Sequence, residues 1–304
     1  MTPPITPTST TLKVVLALVA LIAPSHIHAC NLPSELSRVV TKVPSADSLL
    51  LDDGSEVVLI GAMPPVSLDQ SDPNQPAWPP AEATRKHLES LVSGKAVDLA
   101  FAGRRLDRYG RQLAHVFLTQ PVVLNKTQSR HWVQGDLLAR GLARAYTLPG
   151  NAACIDDLLT HENQARASQA GHWGSGVFQD RNAHDPRELA RFRDTFQTIE
   201  GRIDHTAKVR GQQVFDFTPS GSYRFSVWIA PPAGTRRKSS AITPESIAGK
   251  RVRVRGWIEL RRSPRLTIAS IRHIEILDET LQTSDPEKAT SNDHPSPIPA
   301  THQQ

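Results

Sequence analysis

The sequence is poor in residues on which several protein classes depend. Among 304 residues only two are cysteines, and 5% are aromatic. No cluster of His, Cys, Asp and Glu occurs at metal-ligand spacing, and no glycine-rich loop has the pattern that cradles a phosphate. These absences give no support to a zinc-binding module or a nucleotide-binding loop. At this length, with 38% hydrophobic residues, the chain suggests two domains of ordinary core size.

A long hydrophobic run is also missing. Residues 12–23 are apolar, but the run is too short to cross a bilayer comfortably. Lys13 is the single side-chain cation at this end, and Ile27-His28-Ala29 is a plausible cleavage site. We therefore predict that residues 1–29 are a signal peptide and that the protein is exported, periplasmic or secreted. A retained anchor is the less favoured alternative, and no stable transmembrane segment is expected after cleavage.

The two cysteines, Cys30 and Cys154, bear on the same prediction. Cleavage after Ala29 makes Cys30 the first mature residue, which permits either a lipid anchor or a disulfide to Cys154. A lipid signal needs a small, apolar context before the cysteine, and His28 fits that context poorly. Cys154 needs a partner in an oxidising compartment, and Cys30 is available. We therefore favour the disulfide.

Charge is unevenly distributed along the chain. The net charge is +5, yet residues 31–175 carry similar numbers of basic and acidic side chains. The basic excess falls in residues 197–277, and the acidic stretch 278–304 is low in apolar residues. We predict that 278–304 is a disordered tail and that the basic surface belongs to a second domain.

Residues 36–118 read as five strands interrupted by one helix. Strands are predicted at 36–43, 46–51, 56–60, 95–101 and 112–118, with a hairpin turn at Asp52-Asp53-Gly54. Residues 81–92 have helical spacing, and further helices are predicted at about 131–140 and 152–170. The fold class that follows is mainly β with packed helices.

One turn stands out for its chemistry. Asp107-Arg108-Tyr109-Gly110-Arg111 precedes a strand, and Gly110 permits the positive φ of a tight turn. Arg111 is thereby presented at the mouth of a sheet, where a guanidinium can grip a phosphate with two parallel hydrogen bonds. An ordinary solvated hairpin, with Arg111 paired to Asp107, is the alternative.

With the later segments Gly141-Leu142-Ala143-Arg144-Ala145-Tyr146 and Gly171-His172-Trp173-Gly174, this turn resembles the thermonuclease, or staphylococcal-nuclease-like, family over about residues 36–175. The resemblance implies a five-stranded OB-type barrel with packed helices. It also implies calcium-dependent cleavage of DNA and RNA.

Matched to the family pattern, the catalytic residues are only partly present. The resemblance assigns Asp47 to calcium and Arg111 to the phosphate. Tyr109 and Tyr146 are candidates for stacking on a nucleotide base, although aromatic residues at barrel rims are as often plain packing. Val58, Met63 and Val66 stand where the family has an arginine, a metal aspartate and a glutamate base. Because one lost electrostatic donor costs about 100-fold to 1,000-fold in turnover, we expect weak or no hydrolysis. For Asp47, a turn-capping carboxylate is the alternative.

The second half of the chain predicts a connector at 177–196 and a basic domain at 197–277, after a first domain at 30–176. Its repeated short strands suggest a second small OB-like β-barrel. Basic residues on such a barrel are typical of single-stranded nucleic-acid binding, although a solvated outer face is as frequent. The predicted binding residues are the alternating Arg251, Arg253 and Arg255 and the hairpin pair Arg261 and Arg262.

Three functions remain open. The first is an exported thermonuclease-like protein with a degenerate site that binds nucleic acid or another polyanion. The second is an active calcium-dependent nuclease whose site is rebuilt with Asp69 and Asp72 from the loop after Val66. The third is a periplasmic component whose two barrels bind protein partners.

Overall fold

The computed structural model describes seven segments of the chain, residues 30–67, 78–119, 130–148, 150–217, 223–230, 244–269 and 271–277. The predicted signal peptide, residues 1–29, and the predicted tail, 278–304, lie outside the described residues. Within these segments no helix combines the length and hydrophobicity needed to cross a membrane.

The first domain is a small barrel with three helices. Its elements, in chain order, are β1 (Leu36–Ser45), β2 (Ser48–Leu51), β3 (Glu56–Leu59), β4 (Ala62–Met63), α1 (Pro79–Val92), β5 (Ala96–Ala100), β6 (Gln112–Leu118), β7 (His131–Trp132), α2 (Val133–Ala139), β8 (Arg144–Ala145) and α3 (Ile155–Ala167).

Five of these strands close on themselves. β1 pairs with β2, β2 with β3, β3 with β6, β6 with β5, and β5 again with β1. All pairings are antiparallel except β3–β6, which is parallel. This ring confirms the predicted mainly β fold with an OB-type barrel.

The barrel closes around a core of apolar side chains contributed by its strands and by α1. β6 is buried from Leu113 to Phe117, and α1 adds Leu88 and Val92 to the same core. The buried amide of Gln134 on α2 accepts from the Val116 amide and donates to the Ala114 carbonyl, at 3.0 and 2.9 Å. That amide satisfies backbone groups of β6 while joining α2 to the barrel.

Element boundaries differ modestly from the predicted ones. The helix expected at 131–140 begins at Val133, because His131–Trp132 pairs with β6 as a short strand. The helix expected at 152–170 runs only from Ile155 to Ala167. Cys154, directly before it, has φ 59°, so the chain turns sharply there before the helix begins.

The predicted disulfide is confirmed. Cys30 and Cys154 are bonded, their Cα atoms lie 5.3 Å apart, and the bond spans a sequence separation of 124. Cys30 is buried against the barrel core. The start of the described chain is thereby fixed to the residue that precedes α3.

The second half of the described chain forms two sheets. Its elements are β9 (Asp180–Asn182), α4 (Pro186–Arg191), β10 (Phe196–Arg202), β11 (His205–Val209), β12 (Gln212–Asp216), β13 (Ser226–Ile229), α5 (Pro244–Ile247), β14 (Arg251–Trp257), β15 (Glu259–Arg261), β16 (Ser263–Ile268), a 3-10 turn (Ile271–His273) and β17 (Ile274–Ile276). One sheet has the order β17-β14-β10-β9, and the other β11-β12-β13-β16-β15.

The two sheets share one apolar core. Their strands are consecutive where β10 leads into β11 and where β14 leads into β15, and β13–β16 is parallel as β3–β6 is. Ala183 and Leu189 of the predicted connector lie in this second core. The pairings are those of two separate sheets, so the OB-like barrel and the domain boundaries at 176 and 196 stay predictions.

Removal of the disulfide tests how much it stabilises the fold. On the chain-entropy estimate, a bond closing so long a loop contributes about 5 kcal/mol. We expect Cys154→Ala to lower the free energy of unfolding by about this amount, seen as a lower urea midpoint of unfolding. A reducing agent should lower the wild-type midpoint to that of the variant and leave the variant unchanged. Equal midpoints for oxidised wild type and variant would contradict this estimate.

Candidate functional site

The turn from Asp107 to Arg111 forms at the predicted position, with Arg111 paired to Asp107. The Asp107 carboxylate accepts from the backbone amides of Tyr109 and Arg111 at 2.8 and 2.9 Å, which fixes the turn. Its other oxygen accepts from Arg111 Nε at 2.8 Å, and Glu56 lies 3.6 Å from Arg111 Nη1. The hydrogen bond to Asp107 raises the pKa of Arg111, with the charges of Glu56 and Asp47 adding to it. Arg111 is therefore a fixed, half-exposed cation.

Tyr109 is the exposed aromatic residue of this turn. Its side chain is 68% exposed, and the guanidinium carbons of Arg108 and Arg111 lie 4.7 and 5.5 Å from its ring centroid. The ring thus makes cation–π contacts with two guanidinium groups while most of its surface stays exposed. Its role in stacking on a base stays a prediction.

Asp47 lies in the turn between β1 and β2. Its Oδ1 accepts from the Ser45 hydroxyl at 2.6 Å, and Ser45 also lies 2.8 Å from the Ser48 hydroxyl. The side chain is half-buried. Its contact is therefore a hydroxyl rather than the backbone amides that a simple turn cap would use.

Tyr146 is the second aromatic residue of this set. The residue is buried, and burial raises the pKa of its hydroxyl, with the negative charge of Asp47 acting in the same direction and Arg111 in the opposite one. The sequence suggested that Tyr146 stacks on a base. Because so little of Tyr146 is exposed, its ring is not an open stacking surface in the structure.

Hydrocarbon or thioether side chains occupy the three positions at which the sequence resemblance places an arginine, a metal aspartate and a glutamate base. Val58 is buried in an apolar cluster with Ile60 and Leu113. Met63 is half-buried on β4, and Val66 is 43% exposed. None of the three offers an ionised oxygen or a guanidinium to this region.

The described donor set does not fit calcium at this position. Calcium takes six to eight oxygen ligands, several of them carboxylates. Among the described residues, Asp47 belongs to no group of three or more close His, Cys, Asp or Glu ligand atoms. Asp69 and Asp72, the suggested replacements, lie outside the described residues.

One close group of potential ligands does occur in the described part of the chain: Cys30, His115 and Cys154. Both sulfurs belong to the disulfide, so neither is a thiolate ligand. Burial lowers the pKa of His115 to about 4, against the opposing contact with the Ala153 backbone. His115 is thus a neutral core histidine at neutral pH.

The arginines of β14 have a different placement from the one expected. Arg255 is only 8% exposed, and its Nη1 lies 2.9 Å from Glu162 of α3. Arg253 is nearly as buried and donates to Glu200 at 2.9 Å. The prediction of an open basic face on β14 is therefore wrong for these two, because α3 of the first domain packs over that face. Arg251 remains 56% exposed and pairs with Glu200 at 2.8 Å.

Glu162 is the centre of this inter-domain network. It is fully buried, and its carboxylate accepts from Arg166, Arg255 and the Ala145 amide. Burial alone would raise the pKa of Glu162, but Arg255 and Arg166 hold it below its ordinary value. Beside it, burial lowers the pKa of Arg144 to about 10, and Arg144 donates to the Phe196 carbonyl at 2.7 Å. No local pattern in the sequence predicts this network, since Glu162 and Arg255 are far apart along the chain.

The hairpin pair keeps its expected exposure. Arg261 is 72% exposed and lies 3.9 Å from Glu259, while Arg262 is exposed in the turn between β15 and β16. Trp257 lies on the same side of β14 as Arg253 and Arg255 and is 42% exposed. Their nucleic-acid role stays a prediction.

The closed five-stranded barrel, with the Arg111 turn at its mouth, defines a thermonuclease-like OB-fold domain. Residues 65–175 match the family model described as staphylococcal nuclease homologue, which supports a thermonuclease-like domain in this part of the chain. The matched range includes the turn from Asp107 to Arg111 and Tyr146. It begins after β4 and so does not include Asp47, Val58 or Met63.

Two curated proteins of Bacillus subtilis (strain 168) are similar to this chain. The SPbeta prophage-derived endonuclease YokF is 33% identical over 112 residues, covering 36% of this chain and 34% of its own length. Endonuclease YncB is 33% identical over 108 residues, covering 35% of this chain and 46% of its own length. The match thus spans less than half of either relative.

The role of the buried pair is tested by Glu162→Gln, which removes the carboxylate shared by Arg255 and Arg166 and leaves them Glu275 and Asp180 as partners. We expect a loss of about 3 to 5 kcal/mol of unfolding free energy at pH 7, measured by urea unfolding. Glu89→Gln, which removes one exposed partner of Arg85 on α1, is the matched control and should change little.

The pH dependence gives the same experiment a second readout. A carboxyl with a depressed folded pKa adds stability above its ordinary pKa of 4.5, and this stability is lost as pH falls through the folded value. We expect Glu162→Gln to lack that component of the acid destabilisation. A variant with the wild-type acid profile would contradict the assignment.

Proposed function

We propose that this protein binds single-stranded nucleic acid or another polyanion through its thermonuclease-like domain and has weak or no phosphodiesterase activity. The carrying observation is the combination at the barrel mouth of Arg111, a preorganised cation, with apolar side chains at the three family positions. A phosphate can be gripped there, but the described residues supply neither a calcium shell nor a base to activate water.

Binding is supported by the remaining groups of the turn. Tyr109 is exposed between Arg108 and Arg111, so one base face and two phosphates can be contacted within a short span. Two similar proteins are named endonucleases, which supports nucleic acid as the polymer. Hydrolysis requires more than these contacts, since positioning a phosphate does not by itself generate a nucleophile.

The proposal includes export to an oxidising compartment. The buried Cys30–Cys154 bond supports this location, because such bonds persist mainly outside the cytosol. It also favours a disulfide over a lipid anchor at Cys30. A periplasmic protein partner remains the alternative to a polymer ligand.

An active calcium-dependent nuclease is the second candidate. Its carrying observation is the retained pair of Asp47 and Arg111, whose charges both act on Tyr146. In that case the missing carboxylates come from residues 68–77, which include Asp69 and Asp72.

Cleavage and binding assays on the mature chain separate these candidates. With denatured DNA and calcium, we expect no calcium-dependent cleavage above background, because the calcium ligands and the base are missing. Calcium-dependent cleavage that Arg111→Ala abolishes would establish the second candidate and overturn the first.

Binding should depend on salt and on Arg111. Since each phosphate contact contributes about 0.7 to the slope of log affinity against log salt for single strands, Arg111→Ala should reduce that slope by about this amount. Arg38→Ala removes one positive charge from β1, far in sequence from the turn, and serves as the control. Absence of salt-sensitive binding by wild type would favour the protein-partner alternative.

A further inference from the structure

A pocket of about 260 Å³ lies between the two halves of the molecule. The first domain contributes Thr147 and Leu148, which directly follow Tyr146. The second contributes Phe196, Trp257, Thr267 and His273, among others. The pocket is smaller than the roughly 300 to 1,000 Å³ of drug-sized sites, so it suits one small planar group.

Trp257 forms an aromatic wall of this pocket. Its ring makes edge contacts with Phe196 and Tyr146, with centroids 5.0 and 6.1 Å apart. Both of those rings are buried, whereas Trp257 keeps 42% of its surface exposed. Two buried rings thus hold a partly exposed indole, which limits its rotamers before any ligand arrives.

The pocket also has hydrogen-bonding groups at its edge. Thr147 Oγ1 and His273 Nε2 lie 3.0 Å apart, and burial together with the charge of Arg255 lowers the pKa of His273. Glu259 and Thr267 add a carboxylate and a hydroxyl. The hydroxyl and imidazole groups beside this aromatic wall match the edge of a nucleobase, and the two charged lining residues, Arg255 and Glu259, are paired with Glu162 and Arg265.

An exposed cation lies beside the pocket. Arg261 Nε lies 3.9 Å from Glu259, which lines the pocket, and most of the Arg261 side chain is exposed. A strand whose base occupies the pocket therefore has one exposed guanidinium close to its backbone.

We infer that this pocket binds one unpaired nucleobase of a single-stranded nucleic acid, stacked on Trp257, while the backbone passes Arg261. The inference rests on the proposed polymer-binding function and extends it to the second domain. A base in a duplex is already stacked and paired, so the pocket selects single strands.

The test is fluorescence anisotropy with labelled single-stranded oligo(dT) and the full mature chain. We expect Trp257→Ala to weaken binding by about 5-fold to 150-fold, the range for loss of one stacked base. The slope of log affinity against log salt should stay at the wild-type value, because no phosphate contact is removed. Trp257→Phe should recover most of the affinity.

Two further variants separate the loss of a stacked base from a general effect on folding or on the surface. Tyr223→Ala removes an aromatic side chain of similar exposure, 40%, that does not line the pocket, and should bind as wild type does. Trp257→Leu keeps an apolar contact with Phe196 but has no ring, so it should lose affinity even if Trp257→Ala folds poorly.

The outcomes separate the two proposals. If wild type binds oligo(dT) but Trp257→Leu and Trp257→Ala bind equally well, the pocket assignment is overturned and the proposed function stands. If wild type does not bind at all, both fail. Equal weakening of a blunt duplex probe by Trp257→Ala would also overturn the assignment, since a paired base cannot enter the pocket.

Discussion

The buried contact between Glu162 and Arg255 governs how the two halves of this molecule fit together. Glu162 lies on α3 of the barrel half and is fully buried, and Arg255 lies on β14 of the second half and is 8% exposed. A charge buried without its partner costs several kcal/mol, so each domain requires the other to cover and neutralise this surface. The inter-domain geometry is therefore fixed by charge as well as by apolar packing.

That constraint decides which cations are free for a ligand. Arg253 and Arg255 are held by carboxylates at the domain junction, while Arg111 and Arg261 keep exposed surface at its margins. The same junction brings Trp257 against Phe196 and Tyr146. The packing that occupies two arginines thus builds the aromatic pocket beside the barrel mouth. A strand that looks like a binding face in sequence serves as the interface.

The barrel mouth shows a division between frame and chemistry. The family match covers the turn held by Asp107, and the closed ring of five strands is consistent with the OB-type barrel of that family. Val58, where the sequence resemblance places an arginine, packs into an apolar cluster with Ile60 and Leu113. Such a cluster stabilises the barrel, but it provides no cation to stabilise the negative charge that develops on a phosphodiester during hydrolysis.

The sequence by itself determined the strands of the first barrel and the Arg111 turn, because residue alternation and turn residues act over short ranges. It also determined the cysteine pairing, because two cysteines leave one possible bond within the chain. The tertiary structure alone decided that Arg253 and Arg255 are buried, that Tyr146 is covered and that Trp257 is exposed. Strand periodicity assigns a side chain to a face, but it does not say what packs on that face. Only the contact of α3 with β14, far apart in sequence, supplies that information.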